Sequence, residues 1–313
     1  MPELPEVETI KRGLRGFCLN KKIVRVKSYC DKSLIGPREI AEGRTVEKFR
    51  RFGKALVVDL SEGVSLMVHL RMTGQLVWVS SSEEETQQEE PSSISTSKNA
   101  VSDVEIIKNL VKNRFAGGHP SDNFTDKLPN KQTRVEIEFE GGGKLFFNDQ
   151  RKFGFIKILP TDEVLQDKFI ASLAPEPWKM EPEDFYQRLQ RHKNSPIKAV
   201  ILDQKVICGL GNIYADEALF YAGILPTRKA GEVSKTEAKL LLKGACEVME
   251  KSINSGGSTM ATYVKADGTK GDYLRLFAQV FRREGEPCNR CGAEIIKMRV
   301  AGRGTHICPR CQK

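Results

Sequence analysis

Four cysteines near the end of the chain constrain it most, because they stand as Cys288-x2-Cys291 and Cys308-x2-Cys311 with sixteen residues between the pairs. Two such knuckles can place four thiolates at the corners of a tetrahedron, the geometry of a structural Zn2+ site. Ala293 to Ala301 and Thr305 to Cys308 are strand-like and meet at Gly302-Arg303-Gly304. The spacing therefore predicts a zinc-held β-hairpin with Arg303 at its tip. From Phe281 to Lys313 eight basic residues face three acids, so the hairpin stays cationic even when the thiolates are counted. It reads either as a finger for a polyanion or as a staple that only stabilises a segment too short to own a core. The other cysteines, Cys18, Cys30, Cys208 and Cys246, are scattered among apolar neighbours and read as reduced core residues.

At roughly 100 to 200 residues per domain, 313 residues imply two domains, or one large one with an appendage. The net charge of +9 is uneven, since residues 80–113 hold seven acids and three lysines and leave the remainder strongly basic. A polyanion is the natural partner of such a surface, although a merely solvated basic surface has the same composition. No apolar run approaches the roughly 18 residues that cross a bilayer, and the start of the chain lacks a secretory apolar region. The expectation is a soluble cytoplasmic protein.

Hydrophobic periodicity divides the chain. Val7, Ile10, Leu14 and Phe17 share one face of a helix over Pro5 to Phe17, and residues 23–79 look β-rich, with strands at Ile23 to Val26, Val57 to Leu60 and Val64 to Leu70. The stretch from Ser80 to about Ala100 is acidic, low in complexity and nearly free of apolar side chains, and reads as a disordered insertion. Strands resume at Val135 to Phe139 and Lys144 to Phe147. A linker is expected near Pro175-Glu-Pro177, followed by helices over Pro182 to His192, Pro196 to Leu202, Ile213 to Ala222, and a long one opened by the capping-box pattern Ser234-Lys-Thr-Glu237. The fold class is α+β: an N-terminal antiparallel β sandwich with flanking helices over residues 1–160, a helical domain over 175–280 and the hairpin over 281–313.

Two further segments bear on chemistry. Met1-Pro2-Glu3-Leu4-Pro5-Glu6 suits an ordinary helix start, since proline fits the first turn and acids complement the helix dipole. If Met1 is removed, however, Pro2 becomes a secondary amine able to form an iminium, with Glu3 beside it. In Cys208-Gly-Leu-Gly-Asn-Ile-Tyr-Ala215, two glycines precede a helix, which is either a connecting turn or an anion pocket. Lys193 and Lys198, with Asn212 as the expected helix cap, favour a DNA phosphate there.

Taken together, Pro2 to Thr9, His69-Leu-Arg-Met-Thr-Gly74, Asp149-Gln-Arg-Lys-Phe-Gly154, Gly209 to Ala215 and Gly285-Glu-Pro-Cys288 occur in the order of a known family. The chain resembles the bacterial formamidopyrimidine-DNA glycosylases over nearly its whole length except the insertion. The resemblance implies a repair enzyme that flips an oxidised purine out of duplex DNA, cuts its glycosidic bond and nicks the strand by β,δ-elimination. It implies Pro2 as the nucleophile at C1′ and Glu3 as the proton carrier. Lys54 would act near the phosphates, and Arg303 would clamp the flanking phosphate, a role better suited to an always-charged side chain than that of an acid. By the same resemblance Met72, Arg151 and Phe153 fill the hole left by the flipped base, although Met72 and Phe153 taken alone read as core. Lys193 and Asn212 would contact phosphates, the helical half would be a helix-two-turn-helix DNA-binding domain, and Ser258 to Tyr273 would cover the everted purine. One structural zinc, a damaged duplex as partner, a monomer and nucleoid association complete the expectation.

Departures from the family pattern matter too. Gln132 stands where the family has a DNA-contacting histidine, Leu225 replaces a histidine before Pro226, and Lys152 replaces an arginine. The acidity of residues 80–113 should repel DNA, so the insertion is expected to project away from the cleft. Two alternatives stay open: an oxidised-pyrimidine glycosylase of the endonuclease VIII branch, whose opening differs from Pro-Glu-Leu-Pro-Glu, and a non-enzymatic zinc-ribbon DNA-binding protein.

Overall fold

The structure, a computed structural model, describes residues 2–81, 114–119, 126–257 and 273–313. The acidic stretch and the segment expected to cover a purine fall almost wholly outside the described residues. Helix α1 (Leu4–Cys18) opens with a capping box: Glu3 is the N-cap residue, and its backbone N–H donates to Glu6 at 2.8 Å. Its apolar stripe buries Val7, Ile10, Leu14 and Cys18 against the N-terminal sheets.

Those sheets are each five-stranded. The first runs β1 (Ile23–Ser28), β8 (Thr133–Phe139), β9 (Lys144–Asp149), β6 (Gly74–Val79) and β7 (Arg114–Gly118), all antiparallel. The second runs β2 (Leu34–Ile35), β10 (Phe155–Pro160), β5 (Val64–His69), β4 (Ala55–Leu60) and β3 (Val46–Phe52), antiparallel except for the short parallel pair β2 with β10. Leu56, Val68, Leu76, Trp78, Val135, Phe147 and Ile156 fill the space between them. Pairing apolar faces in this way is what a two-layer β architecture requires.

Strand β7 was not anticipated. It pairs with β6 from Val79↔Arg114 to Gln75↔Gly118, and Phe115 packs on Gly13 of α1, where an added Cβ would lie 2.2 Å from the ring. Strands β6 and β7 therefore part at the Val79 end, opposite the Gly74 end where the β5–β6 and β9–β10 loops lie.

The second half is helical: α2 (Lys168–Ala171), α3 (Pro182–Gln190), α4 (Ile197–Leu202), α5 (Asn212–Ala222), α6 (Lys235–Asn254) and α7 (Tyr273–Leu276). Ser234 and Glu237 form the expected capping box at the start of α6. Phe185, Leu189, Ile201, Tyr214, Leu219, Leu241 and Met249 form the core, and Leu4 from the chain's start is buried in this same cluster. The first residues are thus threaded into the helical half, which fixes where Pro2 and Glu3 can stand. Strands β11 (Ile296–Val300) and β12 (Arg303–Ile307) make the final hairpin. No helix among the described residues is long and apolar enough to cross a membrane.

Candidate active site and DNA-binding face

Pro2 and Glu3 are buried where the two halves meet. Leu4 N–H donates to Gly209 O at 3.2 Å, and the Glu3 carboxylate accepts from Gly211 N–H at 2.7 Å and Ile213 N–H at 2.9 Å. Glu3 therefore occupies the positive N-terminus of α5 from another part of the chain. This corrects two expectations. The glycine-rich anion pocket is filled by the protein's own carboxylate rather than left for a DNA phosphate. Asn212 is the first helical residue after an N-cap at Gly211, not the cap, and its side-chain amide donates to Gly304 O at 2.9 Å. Gly211 has no room for a side chain, since a Cβ would lie 2.3 Å from Glu3 Cδ.

Burial pushes the Glu3 carboxyl up to about 7, against the opposing pull of Lys54, with Glu6 adding to the rise. Glu6 in turn accepts from the Tyr214 hydroxyl at 2.6 Å. Lys54 is only 6% exposed, and its ammonium donates to Leu210 O at 2.6 Å. Its pKa is lowered by burial, with the Glu3 charge opposing that change. A carboxyl whose pKa lies near neutrality can act as both acid and base at that pH, and the charge of buried Lys54 tunes it.

Lys198, once expected beside a phosphate, is fully buried. It pairs with Asp216 at 2.6 Å and donates to Thr305 Oγ1 at 2.7 Å and Gly304 O at 3.2 Å. Its task is to hold the hairpin on α5. Arg303 is exposed at the start of β12, opposite Val300, and the tip itself is Ala301-Gly302, both with left-handed φ, as a tight hairpin turn requires. Arg303 is thus one residue past the expected position, and Lys198 and Asn212 anchor its neighbour Gly304 beside the helix start that Glu3 caps.

The second group of expected residues lies along the Gly74 end of the first sheet. Met72 is half-buried in the β5–β6 turn, whereas Arg151 and Phe153 project from the β9–β10 loop with the Arg151 guanidinium 4.9 Å from the Phe153 ring centre. Phe153 is 56% exposed, which removes the core reading for that residue. The loop is shaped by Asp149, whose fully buried carboxylate accepts from the N–H groups of Arg151 (3.1 Å), Phe153 (2.8 Å) and Gly154 (2.7 Å) and from the Thr73 hydroxyl. One carboxylate therefore ties the Met72 turn to the Arg151–Phe153 loop. Asp149 is a functional residue that no motif role marks in the sequence, although an acid just before a polar loop ending in glycine is the available signal. Gln132 adjoins this edge, its carbonyl accepting from Asp149 N–H at 2.9 Å. Lys193 is exposed in the turn between α3 and α4.

At the hairpin the four cysteine sulfurs lie within 4.8 Å of one another, with Cys288 to Cys311 at 3.9 Å and Cys291 to Cys308 at 3.4 Å. Tetrahedral Zn–S bonds of about 2.3 Å require S···S separations near 3.8 Å, so the donor set fits one structural zinc. Phe220 of α5 packs with Val280, Ile295 and the buried cysteines, so the metal site is wedded to the helical half.

Comparison with known proteins settles the family. Residues 1–156 match the formamidopyrimidine-DNA glycosylase N-terminal domain, residues 173–264 its H2TH domain, and residues 285–313 a zinc finger found in FPG and IleRS. The formamidopyrimidine-DNA glycosylase of Desulfitobacterium hafniense is 34% identical over 322 residues, and that of Nostoc sp. is 35% identical over 327, each alignment covering all of both chains. The chain belongs to the formamidopyrimidine-DNA glycosylase family. Among solved structures, the complex between Lactococcus lactis Fpg and an abasic site containing DNA superposes with a TM-score of 0.79 at 29% identity, covering both chains completely. A second structure, the G226P mutant of that protein with a Fapy-dG containing DNA, gives a TM-score of 0.79 at 30% identity over the same coverage.

Proposed function

We propose that this formamidopyrimidine-DNA glycosylase family member removes oxidised purines from duplex DNA and cleaves the resulting abasic strand. The observation that carries the reading is the buried corner itself: Pro2 precedes Glu3, whose carboxylate is held at the α5 N-terminus by Gly211 and Ile213 N–H and pushed up to about 7 by burial, with the charge of buried Lys54 opposing that rise. After loss of Met1, the Pro2 nitrogen attacks C1′ and the damaged base departs with its electron pair. Glu3, as the acid, protonates O4′ as the sugar ring opens to an iminium, and the nitrogen gives up its own proton. With Glu3 returned to its basic form, removal of a C2′ proton expels the 3′ phosphate, and removal of a C4′ proton then expels the 5′ phosphate. A group titrating near the working pH serves in both directions, which is why its burial matters.

Flipping costs a few kcal/mol of unstacking, on the order expected for any everted base. Met72, Arg151 and Phe153 are assigned to offset it: the phenyl ring wedges the base step, and the guanidinium hydrogen-bonds the orphaned partner base. Arg303 clamps the phosphate next to the lesion from the zinc hairpin, while Lys193 and Asn212 hold the backbone. Zinc, when bound, is structural and supplies no step. The Fapy-dG in one Lactococcus lactis complex supports a purine-directed substrate over the pyrimidine branch, and the abasic site in another supports the strand-cleavage step. The same reading takes the protein to act as a monomer on nucleoid DNA in the cytoplasm.

Borohydride trapping tests this. An 8-oxoguanine duplex should leave a covalent protein–DNA adduct whose protein mass lacks the initiator methionine. A protein that binds the duplex but leaves no adduct would reduce it to a DNA-binding module. Adducts only on oxidised-pyrimidine duplexes would move it to the other branch.

A further inference from the structure

The connector between the halves, Pro175-Glu176-Pro177, is not slack. Glu176 is 8% exposed and precedes Pro177, whose ring disfavours the helical region for it and favours the extended conformation it adopts, φ −71° and ψ 153°. Its carboxylate accepts from Gly53 N–H at 3.0 Å and takes both terminal nitrogens of Arg51, Nη2 at 3.2 Å. Arg51 also donates from Nη1 to Gly53 O at 3.2 Å and from Nε to Glu8 of α1 at 2.9 Å. Both polar groups of Gly53 are thus committed, and Gly53 is the residue immediately before Lys54. It adopts a left-handed φ of 54°, and a Cβ there would lie 2.2 Å from Cys208 Sγ. On its other side the connector reaches the glycine loop: Pro175 O accepts from Cys208 N–H at 3.1 Å, one residue before the Gly209 carbonyl that fixes Leu4.

We propose that Glu176 is a positioning residue for the strand-cleaving chemistry: through Arg51 and the Gly53 peptide it sets the turn that presents Lys54 to Glu3, while the adjoining Pro175 ties that turn to the loop around Gly209. The two halves are thereby registered at the point where their reacting side chains meet. A buried carboxylate bonded to a guanidinium and a backbone N–H is a stiff joint, because removing any member strands the others without partners. A misplacement of about 1 Å can cost about 10²-fold in rate, so a joint far from the substrate can govern chemistry.

This rests on the reading of Glu3 and Lys54 as reaction-site residues, and a double-mutant cycle separates the two claims. Single-turnover borohydride trapping on an abasic-site duplex is measured against pH for wild type, E176A, K54A and the double variant, alongside affinity for a tetrahydrofuran duplex. E176A should slow trapping by at least about tenfold with affinity unchanged, within what a 1 Å shift can cost. Because Lys54 lowers the pKa of Glu3, both single variants should move the Glu3 limb of the profile to higher pH, and the double variant should move it no further than K54A. Additive losses, or an E176A rate loss with an unmoved pH limb, would overturn the proposal and leave Glu176 a stability residue. Wild-type protein that forms no adduct would instead defeat the functional reading. Should E176A fail to fold by circular dichroism, E176Q, which keeps an acceptor for Gly53 N–H but loses the charge facing Arg51, carries the same test. A partial rate loss with the upward pH shift is expected, and a wild-type profile would refute the idea.

Discussion

The corner around Glu3 and the edge around Phe153 solve opposite problems. In the corner, charged groups are removed from water and bonded to backbone: Glu3 caps α5, Lys54 meets Leu210 O, and burial moves both toward neutrality. At the edge, an aromatic ring and a guanidinium are left in solvent, and only the backbone beneath them is fixed, by Asp149. On the proposed reading, the difference teaches that proton transfer would be prepared by desolvating the side chain, and entry into a base stack by rigidifying the loop and leaving the side chain free to be buried by DNA.

The largest effect that would break this contrast is expected at Glu3. E3Q should lower single-turnover base release by about 10² to 10⁴-fold while leaving duplex binding intact, as loss of a general acid–base group does. Its stability profile carries a sign. A carboxyl whose folded pKa is raised to about 7 favours the protonated fold, so its stabilisation is complete below the ordinary carboxylate range and is lost as pH rises through about 7. Melting temperatures across pH 4 to 8 should therefore lose that slope in E3Q, and an unchanged slope would mean that Glu3 is not the group titrating. D149A comes next. Leaving three loop N–H groups without their acceptor should cost about 2 kcal/mol of stability and loosen lesion binding about tenfold, read by denaturant titration and fluorescence anisotropy. F153A should keep full stability, because the ring is solvated, yet weaken binding to a tetrahydrofuran duplex by about 1–2 kcal/mol of lost stacking. The smallest effect belongs to Lys193: K193A should reduce the slope of log affinity against log salt by about one unit, uniformly across sequences.

Much of the architecture was legible because apolar runs dictated it. Val57 to Leu60 and Val64 to Leu70 are buried on both faces and read as strands, and the period over Val7, Ile10 and Leu14 gave α1. The zinc ligands were legible because their spacing encodes a tetrahedron. Strand β7 was hidden because a five-residue stretch with two glycines carries no pattern, and its reason for existing is the Phe115 contact with Gly13, far away in sequence. The glycine loop was misread because nothing local reveals that Glu3, 208 positions away, occupies the helix start. Lys198 was misread for the same reason: its partner Asp216 lies on the next helix, so a basic residue near a turn looked like a surface charge. The site residues matched to family motifs gather into the corner, the hairpin and the edge, but Glu176 is bonded to Arg51 and Gly53 more than 120 positions away, a distance that no motif records, and Asp149 reaches Thr73 across a long gap as well.

The pairing of Val79 with Arg114 has an evolutionary corollary. Two chain ends held side by side on a strand ladder, about 5 Å apart and on the far rim of the sheet, form a port through which sequence can be added or deleted at little entropic cost. Swapping everything between them for a two-residue reverse turn, or for a fluorescent reporter, should leave lesion cleavage unaltered. A lineage could in this way acquire or discard an accessory peptide while its repair machinery stayed untouched.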